Sequence, residues 1–333
     1  IKNNSNATFE NEGVYIEHPH LHIINNSTVV FNDILSRNFN SLWPIIEQDN
    51  DFIGGGISLD NSTLDIEGKG EFRNIDVLIN HGSTAKIGNL KNYGSKIYVV
   101  NDSGLEINKN AEIYDGSKIY VANDSKLEIN ENADFYGGTD LSLDNSTLDI
   151  KGEAIFDSTS VLINHGSTAK IYYLDDIGSE IYVVNDSKLE INKGAIFEGT
   201  HLIVDDSKLE INEGAIFDRG AHLIVKDNSN TTINGALTVL DSGTIEFVNG
   251  EYVVNNGGIK IDKSNLNVAG EVYFYNSDTE LNNSSIVNFK DNLALFDSAM
   301  LLKNSSSLNV GGVADFADSA LVVQNGSKVM FGN

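Results

Sequence analysis

The chain has no cysteine, two prolines, two methionines and one tryptophan among its 333 residues. Without cysteine there is no disulfide and no thiolate metal site to staple the fold, so backbone pairing and packing must hold it. Pro19, Pro44 and Trp43 all lie N-terminal to Gly56. The remainder is therefore free of the residue that most often interrupts a β-ladder. Basic residues are also scarce: 22 Lys and Arg stand against 48 Asp and Glu, a net charge of −26, and the three arginines (Arg37, Arg73, Arg219) are scattered. A charge of that size disfavours nucleic acid and anionic membrane as partners and favours cations. No apolar run approaches the ~18 residues of a membrane span, so no membrane insertion is expected. The chain opens on Ile1 and carries no signal-peptide pattern, which reads as a mature start with the secretion signal removed.

What is present is repetition. Leu59 to Ile66 (LDNSTLDI) recurs at Leu143 to Ile150, and Val77 to Ile87 (VLINHGSTAKI) recurs at Val161 to Ile171, both at the same offset and without insertion. The serines 62, 83, 103, 125, 146, 167, 187 and 207 subdivide that unit at spacings of 20 to 22. A fixed period near 20 marks a solenoid, in which each coil stacks only on its neighbours. Short apolar runs separated by Gly, Asn, Asp and Ser predict three strands per coil of about 21 residues. No segment of the repeats shows helical spacing. The expected architecture is an all-β, single-stranded parallel β-helix with three sheets, right-handed by the usual crossover rule. Residues 57–333 would give roughly 13 coils, with a super-repeat 57–140/141–224, and residues 1–56 would form an atypical N-terminal cap or cover.

The first strand alternates: Leu105, Leu127, Leu148, Leu189 and Leu209 inward, Glu106, Glu128, Asp149, Glu190 and Glu210 outward. The second strand pairs Ala133, Ala154, Ala195 and Ala215 with Phe135, Phe156, Phe197 and Phe217, predicting an internal phenyl ladder. The same spacing returns at Ala314 and Phe316. The third strand is apolar throughout. Aligning coils on the turn serine points Tyr98, Tyr120, Tyr182, Leu202 and Leu223 inward, with Val100, Val184, Val204 and Val225. It leaves Val99, Val121, Leu162, Val183, Ile203 and Ile224 as an outward row. A strand apolar on both faces is usually covered on both, so this row is the expected assembly or partner face. Val329 and Phe331, at the last predicted strand, are the expected end contact for a further subunit.

Three other groups bear on function. His18, His20 and His22 share one parity and form a candidate metal site. Nine turns read Asn-X-Ser/Thr, at Asn61, Asn101, Asn123, Asn145, Asn185, Asn230, Asn283, Asn304 and Asn325, candidate glycan acceptors in a secreted protein. The outward acidic column could bind Ca2+ or other cations diffusely, although a straight ladder converges few oxygens on one ion. No cofactor is expected. β-Helical lyases and hydrolases gather carboxylates on one unrepeated patch, whereas here the carboxylates recur regularly, so no enzyme is predicted.

The coil consensus N-D-S-K-L-E-I-N-x-G-A-I-F resembles the adhesin-like repeat proteins of prokaryotic surfaces, both the right-handed β-helical passengers of bacterial autotransporters and the Asn/Ser/Thr-rich adhesin-like proteins of archaea. The resemblance covers roughly residues 57–333 and implies export, surface display and contact with cells, glycans or sister subunits. The expectation is an extracellular structural protein that assembles with itself into a filament or surface layer. The alternative is an adhesin fragment that binds a cell-surface glycan or protein.

Overall fold

The computed structural model describes residues 2–9, 14–17, 20–31, 34–37, 56–114, 116–226, 229–233, 237–239, 244–247, 252–255, 258–263, 265–268 and 271–332. Every described element is a β-strand, turn or bend, with no helix among them. The fold is a β-solenoid of about 12 turns, with stacked parallel strands about 21 residues apart. Two compact units divide it: residues 1–161 with 166–171, and residues 162–165 with 172–333.

In the first unit, each coil has a third-leg strand such as Lys96–Val100, a first leg such as Gly104–Ile107 and a second leg such as Ala111–Tyr114. The three expected sheets reduce to two. Thr63–Arg73 and Thr84–Tyr93 each run through both the first and second legs as one bent strand. Glycine allows the bend. At Gly88 a Cβ would lie 2.3 Å from the carbonyl oxygens of both Glu67 and Gly68, a distance that no side-chain-bearing residue tolerates.

The inward columns of the first leg stand as the alternation predicts. Ala85, Leu105, Leu127 and Leu148 pair in register and are buried. In the second leg Phe135 and Phe156 meet edge to face at 5.2 Å, and in the second unit Phe197 and Phe217 stack at 4.7 Å. Buried rings at such separations contribute beyond their area.

Phe316 does not continue that ladder. In the second unit Phe217 is followed by Val239, Ile261, Leu281 and Leu302, whereas Phe316 pairs with Leu295. The serine-led alternating strand sits on the first leg at Lys208–Ile211, after Ser207, but on the third-leg sheet at Ser307–Val310, after Ser306. All three legs are present across that shift, at Asn230–Ile233, Leu237–Val239 and Thr244–Phe247, so the coil continues unbroken while the serine-led motif has moved to another face.

The described strands within residues 1–56 stack on the coils that follow. Asn6–Phe9 pairs with Thr28–Phe31, and Thr28–Phe31 pairs with Thr63–Ile66. His20–Ile24 pairs with Gly56–Asp60. The step from Thr28 to Thr63 is much longer than one regular coil, and that insertion hides the period from inspection.

The turns close the backbone ledger. Ser83 is buried; its Oγ donates to the Asn80 carbonyl at 2.5 Å and accepts the Ser62 N–H at 3.1 Å. The Ser103 and Ser125 hydroxyls accept from the preceding serine N–H at 3.2 and 3.1 Å. Each hydroxyl thereby satisfies a buried amide that the corner would otherwise orphan.

Candidate interaction surface

Third-leg strands present two faces, and the structure reverses part of the expected assignment. Val99, Val121 and Val183 are buried with Ile97, Ile119 and Ile181. Tyr98, Tyr120 and Tyr182 are the half-buried outward residues, and Val100 and Val184 share their outward parity. Leu162, Ile203 and Ile224 do face outward, and Leu202, Val204, Leu223 and Val225 do face the core.

Turn length accounts for the reversal. In the Asn-Asp-Ser corners two residues are left-handed, Asn101 and Asp102, Asn123 and Asp124, Asn185 and Asp186. At Asn61, Asn145 and Asp206 a single residue is. Asn and Asp tolerate that region, so both corners are available, and they differ by one residue. Alignment on the serine therefore slips by one position from coil to coil, and in a period-two strand one position exchanges the faces.

The corrected outer row in the first unit is Leu78, Tyr98 and Tyr120, in register and ending at Ser142. The Tyr98 and Tyr120 rings meet edge on at 6.4 Å. In the second unit Tyr182, Ile203 and Ile224 align, and Leu162 is half-buried on the same face. Further along that unit the row turns polar: Asn288 Nδ2 donates to Asn267 and Asn309 Nδ2 to Asn288, each at 2.6 Å.

The outward acidic column of the first leg holds ammonium groups. Lys86 bridges Glu106 at 2.9 Å, Lys126 bridges Glu128 at 2.5 Å, and Lys151 also contacts Glu128. In the second unit Lys188 bridges Glu190 at 2.6 Å and Glu210 at 2.9 Å. The Lys126 and Lys151 ammonium groups hold the Glu128 carboxyl below the ordinary carboxylate range, and Lys188 does the same for Glu210. The protein's own lysines thus pair with Glu106, Glu128, Glu190 and Glu210 of this column.

The candidate glycan acceptors form amide ladders. Asn101 Nδ2 donates to Asn80, Asn123 to Asn101, Asn145 to Asp124 and Asn185 to Asn164, at 2.7 to 3.0 Å. Asn283, Asn304 and Asn325 do the same with Asp262, Asn282 and Asn304. The nitrogen that would carry a glycan is therefore engaged coil to coil at these sites. Asn61 is exposed on its corner, and Asn230 opens the strand Asn230–Ile233.

Of the histidine set, His20 and His22 lie on the strand His20–Ile24, with His22 exposed, and His18 lies outside the described residues. Among the described residues no group of three His, Asp or Glu side chains could hold a metal. Val329 and Phe331 pair with Leu308 and Val310, and Phe331 is 47 % exposed.

Two features escaped the sequence reading. On the outer side of the second leg, Tyr93, Tyr114 and Tyr136 stack at 5.0 and 5.4 Å, and the Arg73 guanidinium lies 4.0 Å over Tyr93. Their recurrence at the coil period was visible, but nothing in it distinguished an outer ring column from an inner one. Second, Asp176 sits fully buried where the phenyl column runs, paired with Phe197. Its Oδ1 accepts from Thr200 Oγ1 at 2.6 Å and from the Ser179 N–H at 3.3 Å, while Oδ2 has no partner. Burial pushes its carboxyl up to about 6, against the lowering effect of the Thr200 and Ser179 bonds.

A family profile, that of the B subunit of the discoidin-inducing complex, matches residues 90–332. The chain belongs to that family. The match covers the first unit from residue 90 onward and almost all of the second, including the corrected outer row from Tyr98 onward. No curated protein and no solved structure matches the chain.

Proposed function

We propose that this chain is a non-enzymatic structural subunit of an extracellular multi-protein complex, and that it docks on a neighbouring subunit through the outer face of its third-leg strands. The observation that carries the reading is the outer row itself. Leu78, Tyr98 and Tyr120 in one unit, and Leu162, Tyr182, Ile203 and Ile224 in the other, keep apolar and aromatic side chains on a surface where the outer positions of the first leg carry Glu and Lys. A regular apolar row of this kind is characteristic of a contact surface. The family description, one of a complex component, supports the same reading. The non-enzymatic part is supported by the carboxylates, which recur coil by coil and are engaged by lysines. The extracellular part is supported by the resemblance to surface-displayed repeat proteins.

The test compares wild type with Tyr98→Glu/Tyr120→Glu and Tyr182→Glu/Ile203→Glu, each purified from its native source and sized by light scattering. Loss of the complex, with an unchanged β-sheet circular dichroism spectrum, is the expected outcome. Negative-stain electron microscopy with and without calcium distinguishes the partner. Particles holding other chains fit the proposal, polymers of regular axial repeat would put a second copy on the row, and intact complexes from both variants would refute it.

A further inference from the structure

The tyrosine stack of the first unit ends differently on its two sides. At one end Arg73 covers Tyr93, and Glu71 holds the Arg73 Nε at 2.5 Å and also binds Lys69. At the other end the residue in register with Tyr136 is Asp157. These two ends are copies of each other. The segment Lys69–Arg73 (KGEFR) has its duplicate, in the second copy of the super-repeat, in Glu153–Asp157 (EAIFD). Lys69 is replaced by Glu153, Glu71 by Ile155 and Arg73 by Asp157, so both cations have become acids while the inward Phe72 and Phe156 are kept.

A ring face is electron-rich and attracts a cation. A carboxylate beside that face is repelled by it, and a guanidinium placed between the two satisfies both. Ile155 lies in register with Asp134 one strand from Tyr136, and offers an apolar floor for the aliphatic stem of a long basic side chain. The Asp157 carboxylate accepts a hydrogen bond from the neighbouring Ser158 hydroxyl at 3.0 Å, while its backbone carbonyl takes one from the Thr159 hydroxyl. Burial raises the Asp134 carboxyl, and the nearby Glu112 and Glu153 raise it further, the behaviour of an acidic site short of a counter-charge.

We infer that the Tyr136–Asp157 end of the stack receives an arginine side chain from a partner protein, which takes the place that Arg73 fills at the other end. This inference is independent of the proposed docking row, since it concerns the second leg and not the third, and its failure leaves that reading standing.

The full-length protein is titrated with acetyl-Gly-Arg-Gly-amide and, separately, with the same peptide carrying neutral citrulline, while the tyrosine ring signals are followed by NMR. The expected result is a saturable shift at Tyr136 with the arginine peptide alone. Tyr136→Leu should weaken binding about five-fold, the equivalent of a single exposed cation–π contact. Asp157→Arg should abolish it, because the variant supplies its own guanidinium, and it should leave the fold intact. Equal shifts with citrulline, shifts spread over all tyrosines as the net charge alone would cause, or unchanged binding by Asp157→Arg would each overturn the inference.

Discussion

Replacing Asp176 by Asn should stabilise the protein at neutral pH and leave it unaffected in acid. The carboxyl titrates near 6 in the folded chain against 3.8 for a free aspartate. Because the folded value is the higher one, the favourable contribution belongs to the protonated acid. It is complete below about pH 4 and is lost as the pH rises through about 6. The gap of roughly two pH units, at about 1.4 kcal/mol each, amounts to about 3 kcal/mol of stability given up by neutral pH. The asparagine is a sound probe because the protein already contains it. Asn92 occupies the equivalent place in the first copy of the super-repeat, is equally buried, and its Nδ2 donates to the Ser95 carbonyl at 3.2 Å. Ser179 stands in the same relation to Asp176, so the amide has an acceptor ready. Urea unfolding of wild type and Asp176→Asn at about pH 4 and about pH 7.5 measures the effect as a difference, in which the other carboxylates cancel. A stability gain of the same size at both pH values would refute the reasoning, and so would a loss at neutral pH.

Other substitutions probe the coil itself. Gly88→Ala should cost about 2–3 kcal/mol, because its Cβ meets two fixed carbonyl oxygens at 2.3 Å and overpacking of this kind has no flexible neighbour to yield. Gly104→Ala, which meets nothing within 4 Å, should be neutral or gain about 0.5 kcal/mol; chemical denaturation of the pair checks both. Ser83→Ala should lose about 1–3 kcal/mol by leaving the buried Ser62 N–H unpaired, read as faster hydrogen exchange at that amide. Added salt should raise the melting temperature, since screening a net charge of −26 outweighs the loss of exposed Lys–Glu pairs; a fall on adding sodium chloride would reverse that ranking.

Much of the fold was legible because its signals are local and repeated. The Leu and Ile columns of the first leg and the Phe135–Phe156 contact follow from period-two alternation alone. The faces of the third leg were harder to read. Tyr98 and Val99 are both apolar, so composition says nothing about which faces the core, and only the count through the corner decides it. That count depends on whether one residue or two adopt left-handed backbone, and Asn and Asp permit either. The move of the serine-led motif from the first leg to the third-leg sheet was invisible for a related reason: every leg is a short apolar strand, and a motif carries no mark of the sheet it will join. Asp176 was overlooked because it departs from the consensus at a single position, and a consensus discards such departures; Tyr93, Tyr114 and Tyr136 do recur, but recurrence does not tell an outer ring from an inner one.

The two interchangeable corners also bear on how such a sequence can change. Inside a strand, one inserted residue would turn every following side chain inside out. At the Asn-Asp-Ser corner the same insertion is absorbed locally, as Asn61 and Asn101 show by serving equivalent corners with one and two left-handed residues. Length variation is therefore tolerated at this corner, as it is at the corner before the third leg, where Asn74 and Gly94 stand singly against the pair Gly137 and Gly138, and is punished inside a strand. Whole coils can be copied, as the duplicated super-repeat records, and afterwards drift by single residues at these corners while the core columns stay in line.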